Sequence, residues 1–249
     1  MATKRTKSTP KSKARKQDKT KLPLRRRLKR LVYIGALGMA AFVVLAVAAF
    51  TVLNPPTTHT IWSEKQRLGS VDRSWVRFED VAPVMGRSVV AAEDANFCEH
   101  WGFDMTAIRA AIAEGAQRGG STLSQQVVKN VYLWQERSWL RKGLEAGLTP
   151  LVEGIWSKRR ILEVYLNVAE FGEGVFGVEA ASWHYFGVGP EALTARQAAL
   201  LAAVLPSPRT RDAGRPSKAV SRRAQAIMDG AATIAADGRA ACFEGGQAG

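Results

Sequence analysis

The chain has 249 residues, with 36 Lys or Arg side chains against 22 Asp or Glu side chains, and its formal net charge is +14. The excess lies at one end, because residues 1–30 contain 14 basic side chains and one acid while the rest of the chain is almost neutral. Nucleic-acid binding requires a basic face on a folded domain, so this distribution argues against a nucleic-acid partner. Residues 1–30, rich in Lys, Ser, Thr and Pro, are predicted to form a basic tail.

A run of 23 apolar or uncharged residues without proline, residues 31–53, follows the tail. A helix of this length spans roughly 34 Å at ~1.5 Å per residue, enough to cross a bilayer core. The positive-inside rule then places the basic tail in the cytoplasm and the rest of the chain on the outer side. A cleaved signal peptide is the alternative, because Ala46-Val47-Ala48 has the A-x-A form. The long basic segment and the long apolar run favour an uncleaved anchor.

Asn54-Pro55-Pro56 is predicted to end the helix and to begin an extended stalk over residues 54–61. About 190 residues remain, enough for one domain with its own core. The two cysteines, Cys98 and Cys242, lie in the exported part, where a disulfide is permitted. Their spacing does not match a metal site, and the sequence leaves open whether they pair.

The exported part has the periodicity of helices, which are predicted over residues 104–117, 121–133, 158–171, 177–186, 194–205 and 217–234. A short strand around residues 74–78 is the one β prediction. Residues 172–177 match Gly-x-Gly-x-x-Gly, but they follow a predicted helix rather than a strand, so they are interpreted as a turn. His59 and His184 are isolated and are interpreted as structural or exposed. An α-dominated domain follows.

Two clusters suggest chemistry. Glu93 and Asp94 follow an apolar run, where a carboxylate at a buried edge is a candidate general base; the alternative is an acid pair that caps a helix or forms an ion pair. Thr122, Gln126 and Lys129 stand at i, i+4 and i+7 behind a Gly-Gly pair and a predicted helix N-terminus. This stripe suits a phosphate or a sugar that bears a carboxylate, and the alternative is a solvated polar face.

Two further clusters are less specific when taken alone. Arg141 and Glu145 stand four residues apart with Lys142 beside them, which predicts a surface ion pair. Glu163 and Asn167 lie on one side of an apolar helical pattern and are predicted to have a structural role.

Five segments in order resemble the five motifs of the peptidoglycan glycosyltransferases, which polymerise lipid II and have a lysozyme-like fold. The segments read EDANFCEHWGFD (93–104), RGGSTLSQQVVKN (118–130), RKGLE (141–145), KRRILEVYLN (158–167) and ARQAALLAAVLPSP (195–208). The resemblance covers residues 62–208. It implies a mostly α, lysozyme-like glycosyltransferase domain behind a single N-terminal transmembrane helix, followed over residues 209–249 by a C-terminal helix and a Gly/Ala-rich tail.

The resemblance also implies roles for individual residues. Glu93 matches the catalytic base, which takes the proton of the acceptor's 4-hydroxyl as that oxygen attacks the donor's anomeric carbon with inversion and undecaprenyl pyrophosphate leaves. Glu145 matches the second essential carboxylate. The substrate-binding positions are Asp94, Phe97, His100, Ser121, Thr122, Gln126, Lys129, Asn130, Arg141 and Lys142, among which the cations would bind the pyrophosphate and the first-motif residues would shape the site.

No cofactor is required by the resemblance, but a divalent cation, Mg²⁺ or Mn²⁺, assists some members. The sequence has no dedicated carboxylate cage, so such a cation would share the pyrophosphate. The expected partners are lipid II, the nascent glycan strand, membrane lipid, and cell-wall elongation or division proteins. The expected location is the cell inner membrane, with the N-terminus cytoplasmic and the catalytic domain periplasmic. Residues 131–134 with Trp139 and Leu140 could touch lipid or could be core.

Two other classes of protein remain as alternatives. A lytic enzyme of related fold would cut glycan strands but would not need the anion-binding clusters, and a non-catalytic scaffold could keep the fold alone. No transpeptidase activity is expected, because the only Ser-x-x-Lys sequence is residues 8–11 and the part after Pro208 is short.

Overall fold

The computed structural model describes residues 24–113, 120–136 and 138–245. Most of the predicted basic tail, residues 114–117 of one predicted helix, and the last four residues of the Gly/Ala-rich tail lie outside this part. The chain divides into two compact units between Val43 and Val44.

The first unit is formed by helix α1 (Leu24–Ala49), which continues into the second unit over its last turns. Its segment Arg25–Ala49 is long and apolar enough to cross a membrane. In the second unit the end of α1 is part of the core: Val47 is buried, and its carbonyl accepts a hydrogen bond of 2.8 Å from the indole nitrogen of Trp156.

Helix α1 ends at Ala49, before the Asn54-Pro55-Pro56 sequence that was predicted to stop it. The backbone after Ala49 tightens into turns, and its carbonyl groups find a side-chain partner in Arg160. The guanidinium group of Arg160 donates to the carbonyl oxygens of Phe50 at 3.0 Å and Leu53 at 2.7 Å. Carbonyl groups after the end of a helix lack helical partners, and these hydrogen bonds from Arg160 satisfy two of them.

The predicted stalk is shorter than expected, because helix α2 (His59–Leu68) begins inside it. Thr58 caps this helix by accepting a hydrogen bond from the Ile61 amide at 3.2 Å. The other helices are α3 (Pro83–Glu93), α4 (Met105–Ala113), α5 (Leu123–Tyr132), α6 (Trp139–Ile155), α7 (Lys158–Val168), α8 (Val178–Phe186), α9 (Ala195–Val204), α10 (Lys218–Ala236) and α11 (Ala241–Glu244). Short 3₁₀ turns occupy Phe78–Asp80 and Pro190–Ala192.

The core is built around α9. Every residue from Ala198 to Val204 is buried, so this helix is apolar on all sides, as expected of a helix enclosed by others. Helices α3 and α10 pack on α9 and on each other, while α5 packs on α6 and α7. Helix α10, which lies beyond the five motifs, is thus part of the packed core of the domain.

A small three-stranded sheet has the order β1-β3-β2, formed by β1 (Asp72–Arg73), β2 (Glu170–Gly172) and β3 (Val175–Phe176). The prediction of a strand over residues 74–78 is wrong. The side chain of Asn167 satisfies both backbone groups of Val76, accepting from its amide at 2.8 Å and donating to its carbonyl at 2.9 Å. This contact replaces strand pairing there and gives Asn167 the structural role predicted for it.

The glycine-rich segment 172–177 is the turn and second strand of the β2–β3 hairpin, with Gly174 at φ +73° in the turn. The strand that precedes it, β2, falls where the α7 helix was predicted to continue to residue 171. Strands of two or three residues lack the alternation that sequence patterns detect, which explains why they were missed.

The two cysteines form a disulfide. The bond between Cys98 and Cys242 links the loop after α3 to helix α11, 144 residues further along the chain. Next to it, Phe243 is buried against Phe97 and Phe78, with ring centroids 6.5 and 6.4 Å away. Helix α11 is therefore covalently attached to the loop that follows the candidate base.

Candidate active site

A groove runs along helix α5 and is made of three cavities that share lining residues. The largest, about 600 Å³, lies between α5 and the start of α6 and includes Lys129, Arg141, Lys142 and Glu145. A second cavity of about 460 Å³ shares Gln126 and Lys129 with it and extends to residues 205–210. A third, about 250 Å³, surrounds Glu93 and shares Ser121 with the first. Glu93 and the cationic cluster therefore line adjoining cavities.

Glu93 is the last residue of α3, whose apolar side chains Met85, Val89 and Val90 are buried in the core. Its carboxylate accepts a hydrogen bond of 3.0 Å from Nε2 of Gln126 and lies 3.7 Å from a guanidinium nitrogen of Arg223. Burial raises the pKa of Glu93, while Gln126, Arg223, Lys129 and Arg211 oppose this shift. A carboxylate with a raised pKa that is still surrounded by cations suits a general base.

Glu145 is the centre of a buried ion cluster on α6. Arg141 Nη1 lies 2.8 Å from one carboxylate oxygen, and Lys142 Nζ lies 2.5 Å from the other. Glu145 is 3% exposed and Arg141 is 9% exposed, so the interpretation of this pair as a surface ion pair is wrong. The amide nitrogen of Gln125 also approaches Glu145, at 3.5 Å. The cluster lies where α6 meets α5.

Lys129 connects the two carboxylates electrostatically. It lines both of the larger cavities. Burial lowers its pKa, whereas the charges of Glu145 and Glu93 raise it. An ammonium group that lines a groove and feels the charge of two carboxylates is suited to a phosphate ligand.

The first-motif residues that were predicted to shape the site make most of their contacts within the protein, and Asp94 also lines the cavity around Glu93. Asp94 lies 2.8 Å from Nε2 of His100 and accepts the Leu123 amide at 2.9 Å, so it caps helix α5 from the first motif. Phe97 is fully buried. These contacts use the polar atoms of Asp94 within the protein and fix the loop that follows Glu93.

Thr122 also turns inward, contrary to the predicted stripe with Gln126 and Lys129. It is the N-cap of α5, forms a capping box with Gln125, and donates to the Gly102 carbonyl at 2.7 Å. An N-cap side chain bonds to the helix's own amides rather than pointing along its face. Thr122 therefore lines only the third cavity, beside Glu93, whereas Ser121, Gln126, Lys129 and Asn130 line one or both of the two larger cavities.

Gly102 allows the first motif to approach helix α6 closely. Its φ is +83°, and a Cβ atom there would lie 2.7 Å from Cγ2 of Thr149 and 3.0 Å from Cγ of Glu153. Glycine is therefore required both by the backbone conformation and by the contact with α6. Glu153 in turn binds Ser124 of α5 and Lys158 of α7.

Sequence reasoning missed Arg223 and Arg211. Arg223 lies on α10, far from Glu93 along the chain, and reaches the base because α10 packs on α3. The basic character of this helix was visible in the sequence, but no pattern indicated which cation would face the groove. Gln125 and Gln135, which also line the largest cavity, were likewise not predicted.

Residues 131–134 with Trp139 and Leu140, which were predicted to touch lipid or to be core, include both exposed and buried side chains. Trp139 and Leu140 at the start of α6 are 92% and 69% exposed, whereas Leu133 is buried. The two exposed side chains directly precede Arg141 and Lys142, and Trp139 lines the largest cavity with them. This arrangement suits contact with lipid near a charged headgroup.

Within the described residues, no group of three His, Cys, Asp or Glu side chains converges as a metal site would require. Both carboxylates of the groove are already bound to amide or cationic groups, so the donor set does not fit a protein-only metal cage. The expectation that a divalent cation shares the pyrophosphate stays a prediction.

Replacing Glu145 with Gln should lower the free energy of unfolding by about 3 kcal/mol, because Arg141 would be left buried without its counter-charge. The variant should also lose the catalytic activity of the site, because the cations around Glu145 would no longer be held in place. Chemical denaturation measures the change in stability. An activity assay under conditions in which the variant remains folded measures the loss of activity. Glu163→Gln is a matched control, since Glu163 is paired with Arg160 away from the groove. If Glu145→Gln keeps full activity at equal stability, the cluster has no role in the site.

Comparison with known proteins agrees with this geometry. The family model described as Transglycosylase matches residues 61–232. A biosynthetic peptidoglycan transglycosylase of Jannaschia sp. (strain CCS1) is 60% identical over 216 residues, covering 87% of this chain and 90% of that protein. Proteins of the same name are 46% identical over 222 residues in Cronobacter sakazakii, covering 85% of this chain and 92% of the relative, and 48% identical over 214 residues in Salmonella arizonae, covering 81% and 88%.

These matches confirm the family indicated by the five motifs and the mostly helical, lysozyme-like fold behind one apolar helix. The chain therefore belongs to the transglycosylase family and is a glycosyltransferase.

Proposed function

We propose that this protein is a peptidoglycan glycosyltransferase that polymerises lipid II into glycan strands. The observation that carries the proposal is the half-buried carboxylate of Glu93, which accepts a hydrogen bond from Gln126 and lies in a cavity adjoining the one lined by Gln126, Lys129, Arg141 and Lys142. A base and an anion-binding cluster on one surface are what a glycosyl transfer from a pyrophosphate donor requires. The names of the relatives support peptidoglycan as the product.

The reaction uses the two ends of the groove differently. Glu93 accepts the proton of the acceptor's 4-hydroxyl while that oxygen forms a bond to the donor's anomeric carbon. The bond from this carbon to the pyrophosphate oxygen breaks on the opposite face, so the configuration inverts. The departing undecaprenyl pyrophosphate needs positive charge rather than a proton, and Lys129, Arg141 and Lys142 supply it. Glu145 holds two of these cations in place.

The membrane helix keeps the groove near the lipid-linked substrate. Helix α1 can span a bilayer by its length and composition. We propose that it is an uncleaved anchor in the inner membrane, with its basic N-terminal side in the cytoplasm and the catalytic domain in the periplasm. Trp139 and Leu140 would then contact lipid at the mouth of the groove.

The lytic alternative is less well supported by the groove. Hydrolysis of a glycan strand needs a protonated acid to assist a sugar leaving group. Burial raises the pKa of Glu93 while Arg223, Lys129 and Arg211 oppose that shift, so the direction of its pKa suits an acid as well as a base. The cationic cluster disfavours the lytic enzyme, because it has no part in releasing a neutral sugar. A scaffold would not need the half-buried carboxylate of Glu93 or the ion cluster around Glu145.

The testing experiment incubates the detergent-solubilised, full-length protein with labelled lipid II and separates the products on a gel. Polymer from the wild type, none from Glu93→Gln, and wild-type levels from the exposed control Glu191→Gln would support the proposal. Lipid II that is bound but not polymerised by the wild type would support the scaffold. Shortening of pre-made strands would support the lytic enzyme.

We also propose that this chain does not cross-link peptides. The only Ser-x-x-Lys sequence in the printed chain, residues 8–11, stands in the basic segment before the apolar helix. Labelled penicillin should therefore leave the purified protein unlabelled under conditions that label a transpeptidase. A covalent adduct would contradict this part of the proposal.

A further inference from the structure

A chain of two hydrogen bonds leads from the core to the candidate base. Tyr165, in the middle of α7, is 2% exposed, and its hydroxyl donates to Oε1 of Gln126 at 3.3 Å. Gln126 then donates through Nε2 to Oε2 of Glu93 at 3.0 Å. These three residues come from three different helices, and Gln126 and Tyr165 both line the second cavity of the groove.

We propose that Tyr165 is a positioning residue for Glu93, acting through Gln126 in the lipid II reaction. The proposal rests on the function proposed above for Glu93. Tyr165 is not predicted to touch the reacting atoms. Its role is to decide which end of the Gln126 side chain faces the base.

The chemistry of a primary amide makes this role possible. The Gln126 side chain carries an acceptor oxygen on one arm and a donor nitrogen on the other, and a flip of the amide group exchanges them. If the oxygen faced Glu93, two electron-rich groups would be in contact and the carboxylate would lose a donor. A hydroxyl that donates to the amide oxygen stabilises the orientation in which the amide nitrogen faces Glu93, as long as the hydroxyl keeps its proton.

Tyr165 is suited to keep that proton. Burial raises the pKa of its hydroxyl well above the usual tyrosine value, and the negative charge of Glu93 raises it further. The phenol therefore keeps its proton at neutral pH. A neutral, buried phenol on a packed helix is a donor of fixed position.

The consequence for Glu93 is geometric as well as electrostatic. One carboxylate oxygen is held by Gln126, while the other lies 3.7 Å from Arg223. These two contacts, on opposite oxygens, fix the plane of the carboxylate at the end of α3. Without Tyr165 the Gln126 contact would be made only part of the time, and the base would be less well oriented for its proton transfer.

The effect of Tyr165 can be separated from that of the surrounding charges. The charged groups that face Glu93 are Lys129 from α5, Arg223 from α10 and Arg211 from the segment after α9. Replacing Tyr165 by Phe changes none of them. Loss of a donor to the carboxylate raises the pKa of Glu93, so the acid limb of the pH–rate profile should move to higher pH.

The experiment compares Tyr165→Phe with the matched control Tyr185→Phe in the lipid II assay. The hydroxyl of Tyr185 donates to the Phe171 carbonyl at 3.1 Å, away from the groove, so the control removes a comparable bond. For Tyr165→Phe we expect kcat to fall about 5–10-fold, the effect of about one hydrogen bond, with KM almost unchanged. The acid limb should shift upward only in this variant.

A Gln126→Ala variant provides a second route if Tyr165→Phe folds poorly. It removes the same donor to Glu93 and should move the acid limb in the same direction. In its background, Tyr165→Phe should have no further effect on kcat, because the two changes break one chain of contacts. The proposal would be overturned if Tyr165→Phe and Tyr185→Phe had the same kcat and the same acid limb of the pH–rate profile. It would also be overturned if the losses in kcat were additive in the double variant, or if the acid limb of Gln126→Ala did not move.

The experiments distinguish an error in the role of Tyr165 from an error in the function proposed for the groove. If the wild type makes no polymer, or if Glu93→Gln remains active, the function assigned to the groove is wrong. If those two proteins behave as expected and Tyr165→Phe matches Tyr185→Phe, only the role of Tyr165 is wrong.

Discussion

The Glu93→Gln variant should polymerise lipid II about 10²–10⁴-fold more slowly than the wild type, the usual contribution of a positioned general base. Gln has nearly the same shape as Glu and keeps an acceptor for Gln126, but it cannot take a proton. The acceptor hydroxyl would then attack without a partner for its proton. The rate of glycan formation from labelled lipid II at saturating substrate measures the loss.

The same substitution should leave the fold at least as stable as before. Because burial raises the pKa of Glu93, the folded protein holds this proton more tightly than the unfolded chain does. The free energy of unfolding therefore falls as the pH rises from the ordinary glutamate range through the raised pKa, and the ionised form at neutral pH opposes folding. Removing the charge removes that cost. Thermal unfolding at neutral pH should show an unchanged or higher midpoint for Glu93→Gln.

The pH dependence of the wild type provides an independent check. A base that must be ionised gives a rate that falls as the pH drops through its pKa, so the acid limb should lie above the ordinary glutamate range. A residual rate in Glu93→Gln close to that of Glu191→Gln would show that another group accepts the proton. An inactive variant with a strongly lowered unfolding midpoint would show that Glu93 acts on the fold instead.

The sequence predicted the groups of the groove better than it predicted their orientation. The spacing of Gln126 and Lys129 correctly placed both on the groove, because residues three apart share a helix face. The same reasoning failed for Thr122, since it is the N-cap that precedes the first residue of α5, and its side chain turns back to the helix's own amides. It also suggested that Gln126 faces the substrate, whereas one arm of its amide is used by Glu93.

Long-range contacts could not be predicted from local patterns. Arg223 is distant from Glu93 in the sequence, and only the packing of α10 on α3 brings the two together. Likewise, the position of Asn167 in an apolar helix indicated a structural role, but not that it would replace strand pairing at Val76. Helical periodicity reports which face is buried, and it contains no information about which helix covers that face.

The disulfide is where these long-range contacts become most important for stability. It joins Cys98, shortly after Glu93, to Cys242 in α11, and it closes a loop of 144 residues. Around it, Arg239 donates to the Ala95 carbonyl at 3.1 Å, and Phe243 packs on Phe97. The C-terminal segment thus holds the loop that positions the base, even though it lies beyond the five motifs.

Removing this bond in the double variant Cys98→Ser/Cys242→Ser should lower the free energy of unfolding by about 3–5 kcal/mol, because a loop of this length restricts the unfolded chain strongly. For a domain of this size the unfolding midpoint should drop by roughly 10 °C. Differential scanning calorimetry measures the change, and lipid II polymerisation should fail at a correspondingly lower temperature. The chain has two cysteines, so the double variant should be insensitive to dithiothreitol, while the reduced wild type should unfold at the midpoint of the variant. Equal midpoints for the oxidised wild type and the variant would show that the packing of Phe243 and Arg239 holds the C-terminal segment without the disulfide.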